Sequence, residues 1–283
     1  MANFINKYAT QNAYEGDSTK QYPNVSYISG TDSVIFKEEA DVEIFSGLTV
    51  YYNITDTTNE VTIWSGGGGS SEGDSNSDSD CGGGGDTPTP ATMNVDGTDE
   101  VVQSTWRFST TGEHVIKYTF NSSTMDVKFS TNLLITKIEI GSGITDFEGG
   151  NFNGCRNLSS VTISNNVTTI GSYVFYGCSG LTSIVIPSGV YLIGDSSFED
   201  CRSLTSITIP SGVTSIGMSA FYNCRGLTSI TCLSTVPPTL SGANAFDYTN
   251  NCPIYVPASV VDEYQGSTST GWSTYSSRLQ AIQ

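Results

Sequence analysis

A block of 23 residues recurs through the C-terminal half of this 283-residue chain, and it limits the fold more than any other feature. The blocks CRNLSSVTISNNVTTIGSYVFYG, CSGLTSIVIPSGVYLIGDSSFED and CRSLTSITIPSGVTSIGMSAFYN align without gaps. Cys155, Cys178, Cys201 and Cys224 keep step, as do Leu158, Leu181, Leu204 and Leu227. Val161, Ile184, Ile207 and Ile230 follow, then Ile163, Ile186 and Ile209. Further positions are Gly171, Gly194 and Gly217, and Phe175, Phe198 and Phe221. The frame extends back through Ile135, Ile138, Ile140, Ile144, Phe147 and Phe152. Forward, it loosens through Val236-Pro237-Pro238 to Phe246.

A period of about 20–29 residues is that of leucine-rich repeats. The L-x-x-I-x-I run is a short strand with alternate side chains inward. One unit cannot bury its own apolar face, so units stack. The recurring Gly is expected to permit a turn that a Cβ would hinder, and the recurring Phe to fill the core beneath the returning segment. The expected class is mainly β: a C-terminal solenoid of 23-residue repeats with a cap, preceded by a small β-rich module.

The pattern resembles the BspA-like subclass of leucine-rich repeats, C-x-x-L-T-S-I-x-I-P-x-x-V-x-x-I-G-x-x-A-F. Residues 178–226 match it closely; residues 132–177 depart from it, with Asn165 where Pro is usual. The resemblance implies a right-handed, non-enzymatic β-solenoid arc that binds surfaces, proteins or glycans. The ending, PPTLSGANAFDYTNNCPIYVP, also resembles that family. A last strand is expected at residues 254–256, with Ser259 as an N-cap and Trp272, Tyr275 and Leu279 at helical spacing.

Composition breaks at residues 65–92, SGGGGSSEGDSNSDSDCGGGGDTPTPAT. Glycine, serine and like-charge repulsion read as an extended linker. It is expected to divide an N-terminal module, residues 1–64, from the rest. That module carries a candidate helix at 4–15 and short strands at 25–28, 33–36, 42–45, 48–54 and 60–64. So small a core is marginal alone and is steadier in a homo-oligomer, a dimer or trimer. Residues 93–131 read as a strand-rich lead-in covering the first edge of the solenoid, which occupies 132–283. The N-terminal stretch NKYATQNAYEGDSTKQYPNVSYI resembles the leader of head-fibre or tail-fibre virion proteins of crAss-like phages of gut Bacteroidales. There a short module ties a fibre or decoration protein to the particle. The chain start has no basic or apolar signal region, which agrees with synthesis in a host cytoplasm and placement on a virion surface.

Charge narrows the partners. There are 28 acidic residues against 11 basic ones, net −17, which argues against nucleic acid and anionic membrane. No run of about 18 apolar residues marks a membrane span. The single histidine, His114, lies in a strand-like run beside Glu113 and reads as an exposed position rather than a triad base. Whole-repeat spacing puts the cysteines in a column, unlike paired zinc ligands, so buried structural thiols are expected. Cys232 and Cys252 are left open as a pair in the cap. Asp74 to Asp80 matches half a calcium loop but lacks its Gly and Glu, and reads as a solvated acidic stretch. No cofactor or metal is expected.

Binding candidates form columns. Arg156, Arg202 and Arg225 follow the ladder cysteines, with Ser179 breaking the series; they suit acidic glycans or pairing with Asp195, Glu199 and Asp200. Thr182, Thr205 and Thr228 belong to a hydroxyl-lined outer strand face that also includes Ser159, Ser160 and Thr162. Tyr173, Tyr176, Tyr191 and Tyr222 are expected on the turn side as stacking contacts. The function expected first is a non-enzymatic virion structural protein that displays the repeats to host-surface glycan or protein, with residues 1–64 contacting other virion proteins. A bacterial BspA-like adhesin is the alternative. A polysaccharide-degrading enzyme, which needs two carboxylates at fixed separation, is third.

Overall fold

The structure, a computed structural model, describes residues 25–27, 34–36, 47–64, 90–125 and 127–283. The expected helix at 4–15, the strand at 42–45, Cys81 and the Asp74–Asp80 stretch lie outside these residues. The chain divides into two units, Met1–Ile44 and Phe45–Gln283. In the first, β1 (Val25–Tyr27) pairs antiparallel with β2 (Val34–Phe36).

The second unit begins earlier than composition suggested. β3 (Leu48–Ile54) and β4 (Val61–Thr62) precede the Gly/Ser/Asp stretch. β5 (Thr92–Val95), β6 (Thr98–Glu100), β7 (Thr105–Trp106), β8 (Gly112–Thr119) and β9 (Thr124–Met125) follow it. β3 pairs antiparallel with β8 along its whole length, and β4 pairs with β7. Residues 48–64 therefore belong with the solenoid and not with an N-terminal module. The stretch at 65–92 joins two strands of one unit instead of separating two modules, and its last residue, Thr92, already lies in β5. Burial explains the outcome: Leu48, Val50, Tyr52 and Ile54 face the core on alternate positions of β3. Tyr52 donates its hydroxyl to the Ile63 carbonyl at 2.8 Å.

β8 places His114, Ile116 and Tyr118 inward. His114 is thus buried, correcting the expectation of an exposed position. The period-two alternation already put it in phase with Ile116. Its Nδ1 lies 2.6 Å from Asp96 Oδ2, its Nε2 2.9 Å from the Thr110 carbonyl, and its ring against Phe108.

The repeats carry two strand positions each. The first ladder contains β10 (Ile135–Ile140), followed one repeat later by β12 (Ser160–Ile163); between them the chain forms β11 (Asp146–Phe147). β13 (Thr169–Ile170) and β14 (Leu192–Ile193) continue the second ladder. β15 (Ser206–Ile209), β16 (Ser215–Ile216), β17 (Ser229–Cys232), β18 (Thr239–Leu240) and β19 (Ile254–Val256) complete the coils. One sheet runs β12-β10-β3-β8-β5-β6, so β3 covers the first strand of this ladder, while β9 of the 93–131 segment covers the first strand of the second ladder as expected. A second, all-parallel sheet runs β18-β16-β14-β13-β11-β9. The coil at 181–187 bears no strand in the first ladder, although Leu181, Ile184 and Ile186 are buried. Side-chain burial holds that segment where the ladder lapses.

Stacking reaches the turns as well. Phe175, Phe198 and Phe221 donate their backbone N–H groups to Ser197, Ala220 and Ala245 of the next coil at 2.8–2.9 Å. The rings of Phe129, Phe152, Phe175, Phe198, Phe221 and Phe246 form one stack, with neighbouring centroids 5.2–5.7 Å apart. That distance is one strand spacing plus the offset aromatic faces prefer. The ladder cysteines lie beside the stack. Cys155, Cys178, Cys201 and Cys224 donate their thiols to the carbonyls of Phe129, Phe152, Phe175 and Phe198 at 3.0–3.2 Å. Cys is small enough for the column yet satisfies a carbonyl the turn leaves open. Leu158, Leu181, Leu204 and Leu227 are fully buried.

The repeat glycines act differently from the expectation. Gly171, Gly194 and Gly217 lack positive φ. A Cβ there would meet backbone of the preceding coil at 2.3–2.6 Å. Close approach between coils excludes a side chain.

The end is capped by α1 (Val261–Gly266), a 3-10 turn at Trp272–Arg278 and β20 (Leu279–Ala281), which pairs parallel with β19. Leu279 is thus on a strand rather than in helical register with Trp272. Ser259 lies in a 3-10 turn, and α1 has no side-chain cap. Trp272 packs at a tilt against Phe246 and donates its indole N–H to the Pro238 carbonyl at 2.7 Å. Arg278 donates to the carbonyls of Phe246 and Cys252 at 3.0 and 2.9 Å. Cys232 and Cys252 are both free thiols; Cys232 Sγ lies 3.3 Å from the Tyr264 hydroxyl.

Three predictions test this architecture. Deleting residues 1–44 should leave the second unit's thermal unfolding unchanged, whereas deleting 1–64 should lower its midpoint by stripping β3; equal midpoints would contradict the new boundary. Ser197 is buried with no partner for its hydroxyl, in a column where Ala220 and Ala245 stand in later coils. Ser197→Ala should therefore raise urea stability by about 1 kcal/mol, and a loss would mean the hydroxyl is bonded. Burial pushes the Cys155 and Cys224 thiols up to about 12, from an ordinary value of 9.0. The folded chain keeps protons that the unfolded chain releases, so this stabilisation is complete below about pH 9 and fades as pH rises toward about 12. The fall in urea midpoint between about pH 8 and about pH 10.5 should be shallower in Cys155→Ala; an identical fall would remove the thiol from the account.

Candidate functional site

Three hydroxyls of the expected sheet-face columns turn to the neighbouring coil. Thr205 Oγ1 donates to the Thr182 carbonyl at 3.3 Å, and Thr228 Oγ1 to the Thr205 carbonyl at 3.0 Å. Ser159 does the same with Thr136 at 3.1 Å. Thr182, Thr205 and Thr228 are exposed, but the hydroxyls of Thr205 and Thr228 serve the stack. On the second sheet, Thr169, Thr145 and Thr168 donate to the Asp146 carboxylate at 2.6–3.1 Å. Burial by itself would raise the Asp146 carboxyl, and these three hydroxyls hold it below the usual range.

The turn edge differs. Its backbone passes through the left-handed region at Gly154, Gly177, Asp200 and Asn223, with φ of 72°, 66°, 61° and 60°. Glycine, Asp and Asn are the residue types that tolerate this. Two residues further on in each coil stand Arg156, Ser179, Arg202 and Arg225, all four on one column. The residue at the left-handed position decides what each guanidinium does. Asp200 Oδ1 accepts from Arg202 Nη2 at 3.1 Å and Nε at 3.2 Å, and Asn223 Oδ1 accepts from Arg225 Nε at 2.6 Å. Asn223 in turn donates to Asp200. Gly154 has no side chain to offer, so Arg156 is not held in this way.

Arg156, Tyr176 and Arg202 line one groove of about 460 Å³, together with Asn153, Ser179 and Asp200. Arg225 lines a separate hollow of about 620 Å³ beside Asp247, Tyr248, Asn250 and Asn251. Tyr173 packs on Tyr176 at 5.9 Å, and Tyr222 on Tyr248 at 5.0 Å. Tyr191 stands apart: it precedes β14 and its carbonyl accepts from Thr214 on the second sheet, so it does not join the turn-side tyrosines. Of the three acids considered with the arginines, only Asp200 pairs with one. Asp195 accepts from the Met218 backbone N–H at 2.6 Å. Burial pushes the Glu199 carboxyl up, with Asp200 adding to the shift. Tyr248, 62% exposed, escaped the sequence reading because extra residues between Phe221 and Phe246 break the period before it.

The family match agrees with the repeat geometry. The family model described as "BspA type Leucine rich repeat region" matches residues 113–258 in six copies. No curated protein matches the chain. Among solved structures, a leucine-rich repeat protein from Bacteroides ovatus is 27% identical, with a TM-score of 0.43, over 55% of this chain and 38% of that one. A T. pallidum leucine-rich repeat protein is 22% identical, with a TM-score of 0.39, over 45% of this chain and 58% of that one. The pneumococcal vaccine antigen PcpA is 18% identical, with a TM-score of 0.40, over 54% of this chain and 36% of that one. The chain thus covers less than two thirds of each of these structures. With the model spanning more than half of its residues, the chain belongs to the BspA-type leucine-rich repeat family.

Proposed function

We propose that this chain is a non-enzymatic adhesion module whose turn edge meets a host-surface glycan or protein. One observation carries the reading: at the turn edge the backbone N–H groups of Gly154, Gly177, Asp200 and Asn223 are spent on the next coil, while exposed Arg156, Arg202 and Arg225 stand whole repeats apart beside Tyr173, Tyr176, Tyr222 and Tyr248. Large, stiff aromatics and Arg are the side chains that dominate interface energetics. Family membership supports an adhesion-type role. In the edge groove, Asp200 is already engaged by Arg202 and Asn223, which disfavours the paired carboxylates of glycoside hydrolysis. Residues 1–44 would then attach the module to its support and bring copies together, and several weak sites would gain strength by multivalency.

A cell-surface adhesin is the placement the family favours. Attachment to a phage head or tail fibre is a second reading, carried by the resemblance of residues 6–28 to virion leaders. Mass spectrometry of cell envelopes and of purified particles separates the two, since the chain should be enriched in one and absent from the other. For the activity itself, the full chain should be retained on immobilised mucin and release no reducing sugar from it. Tyr222→Ala with Tyr248→Ala should cut retention several-fold. Sugar release, or no retention on mucin or on host-cell surfaces, would overturn the adhesion reading.

A further inference from the structure

We infer that the groove between Arg156 and Arg202 is a binding site for a carboxylate-bearing saccharide; the inference deepens the adhesion reading and rests on it. The groove exists because the arginine column is interrupted. Ser179 stands where a third Arg would fill the space, so Arg156 and Arg202 form two walls separated by two strand spacings, about 10 Å. The hollow, about 460 Å³, is in the size range of small-molecule sites.

The walls are chemically unequal. Arg202 is already paired with Asp200. Arg156 follows Gly154, and among the described residues no side chain holds its guanidinium. An exposed guanidinium beside a groove, in a chain of net charge −17, is a ready partner for a carboxylate in fork geometry. Across the groove, Asp200 offers a carboxylate acceptor, and Asn153 and Ser179 offer small polar groups. Between the walls lies Tyr176, half-buried and backed by Tyr173, an aromatic surface against which a sugar ring can pack.

Together these groups suit one acid and several hydroxyls on a compact ring. The ligand carboxylate meets Arg156, and its hydroxyls donate to Asp200. A peptide rich in acids is the poorer fit, because each further carboxylate would face Asp200.

The test uses the full chain and saturation-transfer NMR with methyl glucuronide, its neutral methyl ester, methyl glucoside and an acidic tripeptide. Methyl glucuronide should bind, and the ester should bind about tenfold more weakly. Arg156→Gln, an exposed change that leaves the stack untouched, should weaken the acid by about tenfold and bring it level with the ester. Asp200→Asn, which places at 200 the residue already tolerated at 223, keeps one oxygen for Arg202 and turns the other acceptor into an N–H donor, and should weaken both acid and ester. Equal binding of acid and ester, no effect of Arg156→Gln, or tighter binding of the tripeptide would overturn the inference. A chain retained on mucin but indifferent to the acid would remove this site and keep the adhesion reading. A chain that binds the acid but is retained on no surface would do the reverse.

Discussion

Coil-on-coil stacking at one strand spacing is the constraint from which the rest of this structure follows. Every coil must offer its neighbour the same shape at the same height. The phenylalanines satisfy this by stacking ring on ring, with interplanar angles of 4–19° from Phe129 to Phe246. The cysteines satisfy it with a donor small enough to repeat and reach a turn carbonyl. The repeat glycines satisfy it by having no side chain where two backbones nearly touch. Because no coil can bury its own apolar face, both ends must be covered. β3 closes one end by antiparallel pairing, and Trp272, Tyr275 and Arg278 close the other by taking over the bonds a further coil would have made.

The same stacking decides what is left for the surface. Outer hydroxyls such as those of Thr205 and Thr228 reach to the neighbouring coil, so the hydroxyl-lined face is less available than its composition suggests. At the turn edge the backbone N–H groups of Gly154, Gly177, Asp200 and Asn223 bond the next coil, and Arg156, Arg202 and Arg225 are exposed. There one residue in the left-handed turn, Asp200 against Gly154, separates an occupied arginine from an unengaged one. Arg202 and Arg225, already held, cost little side-chain ordering on contact, whereas Arg156 is ordered by what it binds.

The repeat, the inward Leu and Ile positions, the thiol column and the last strand at Ile254–Val256 were all readable from the 23-residue period, because each depends on residues that recur. The unit boundary was not readable. Residues 48–54 look like any short strand, and the composition break after them suggested a division that pairing with β8 overrides. His114 was misread although its phase with Ile116 and Tyr118 was visible; a polar side chain is buried when a partner such as Asp96 is present, and Asp96 lies 18 residues away. The cap was partly legible: of Trp272, Tyr275 and Leu279, read at helical spacing, the first two do share a helical turn. The strand at Leu279–Ala281 required a neighbour, β19, that no local propensity reveals.

For the site, sequence alone determined which residue types recur in columns and that one member of the arginine column is missing, because a period converts directly into spatial neighbours. Only tertiary structure decided which of those side chains are engaged. Whether an arginine is held depends on the backbone conformation and side chain two residues before it. Whether a threonine hydroxyl faces solvent or a carbonyl depends on the coil beneath it. The period specifies adjacency; the competition for each hydrogen-bonding group is settled only when neighbouring coils are in place.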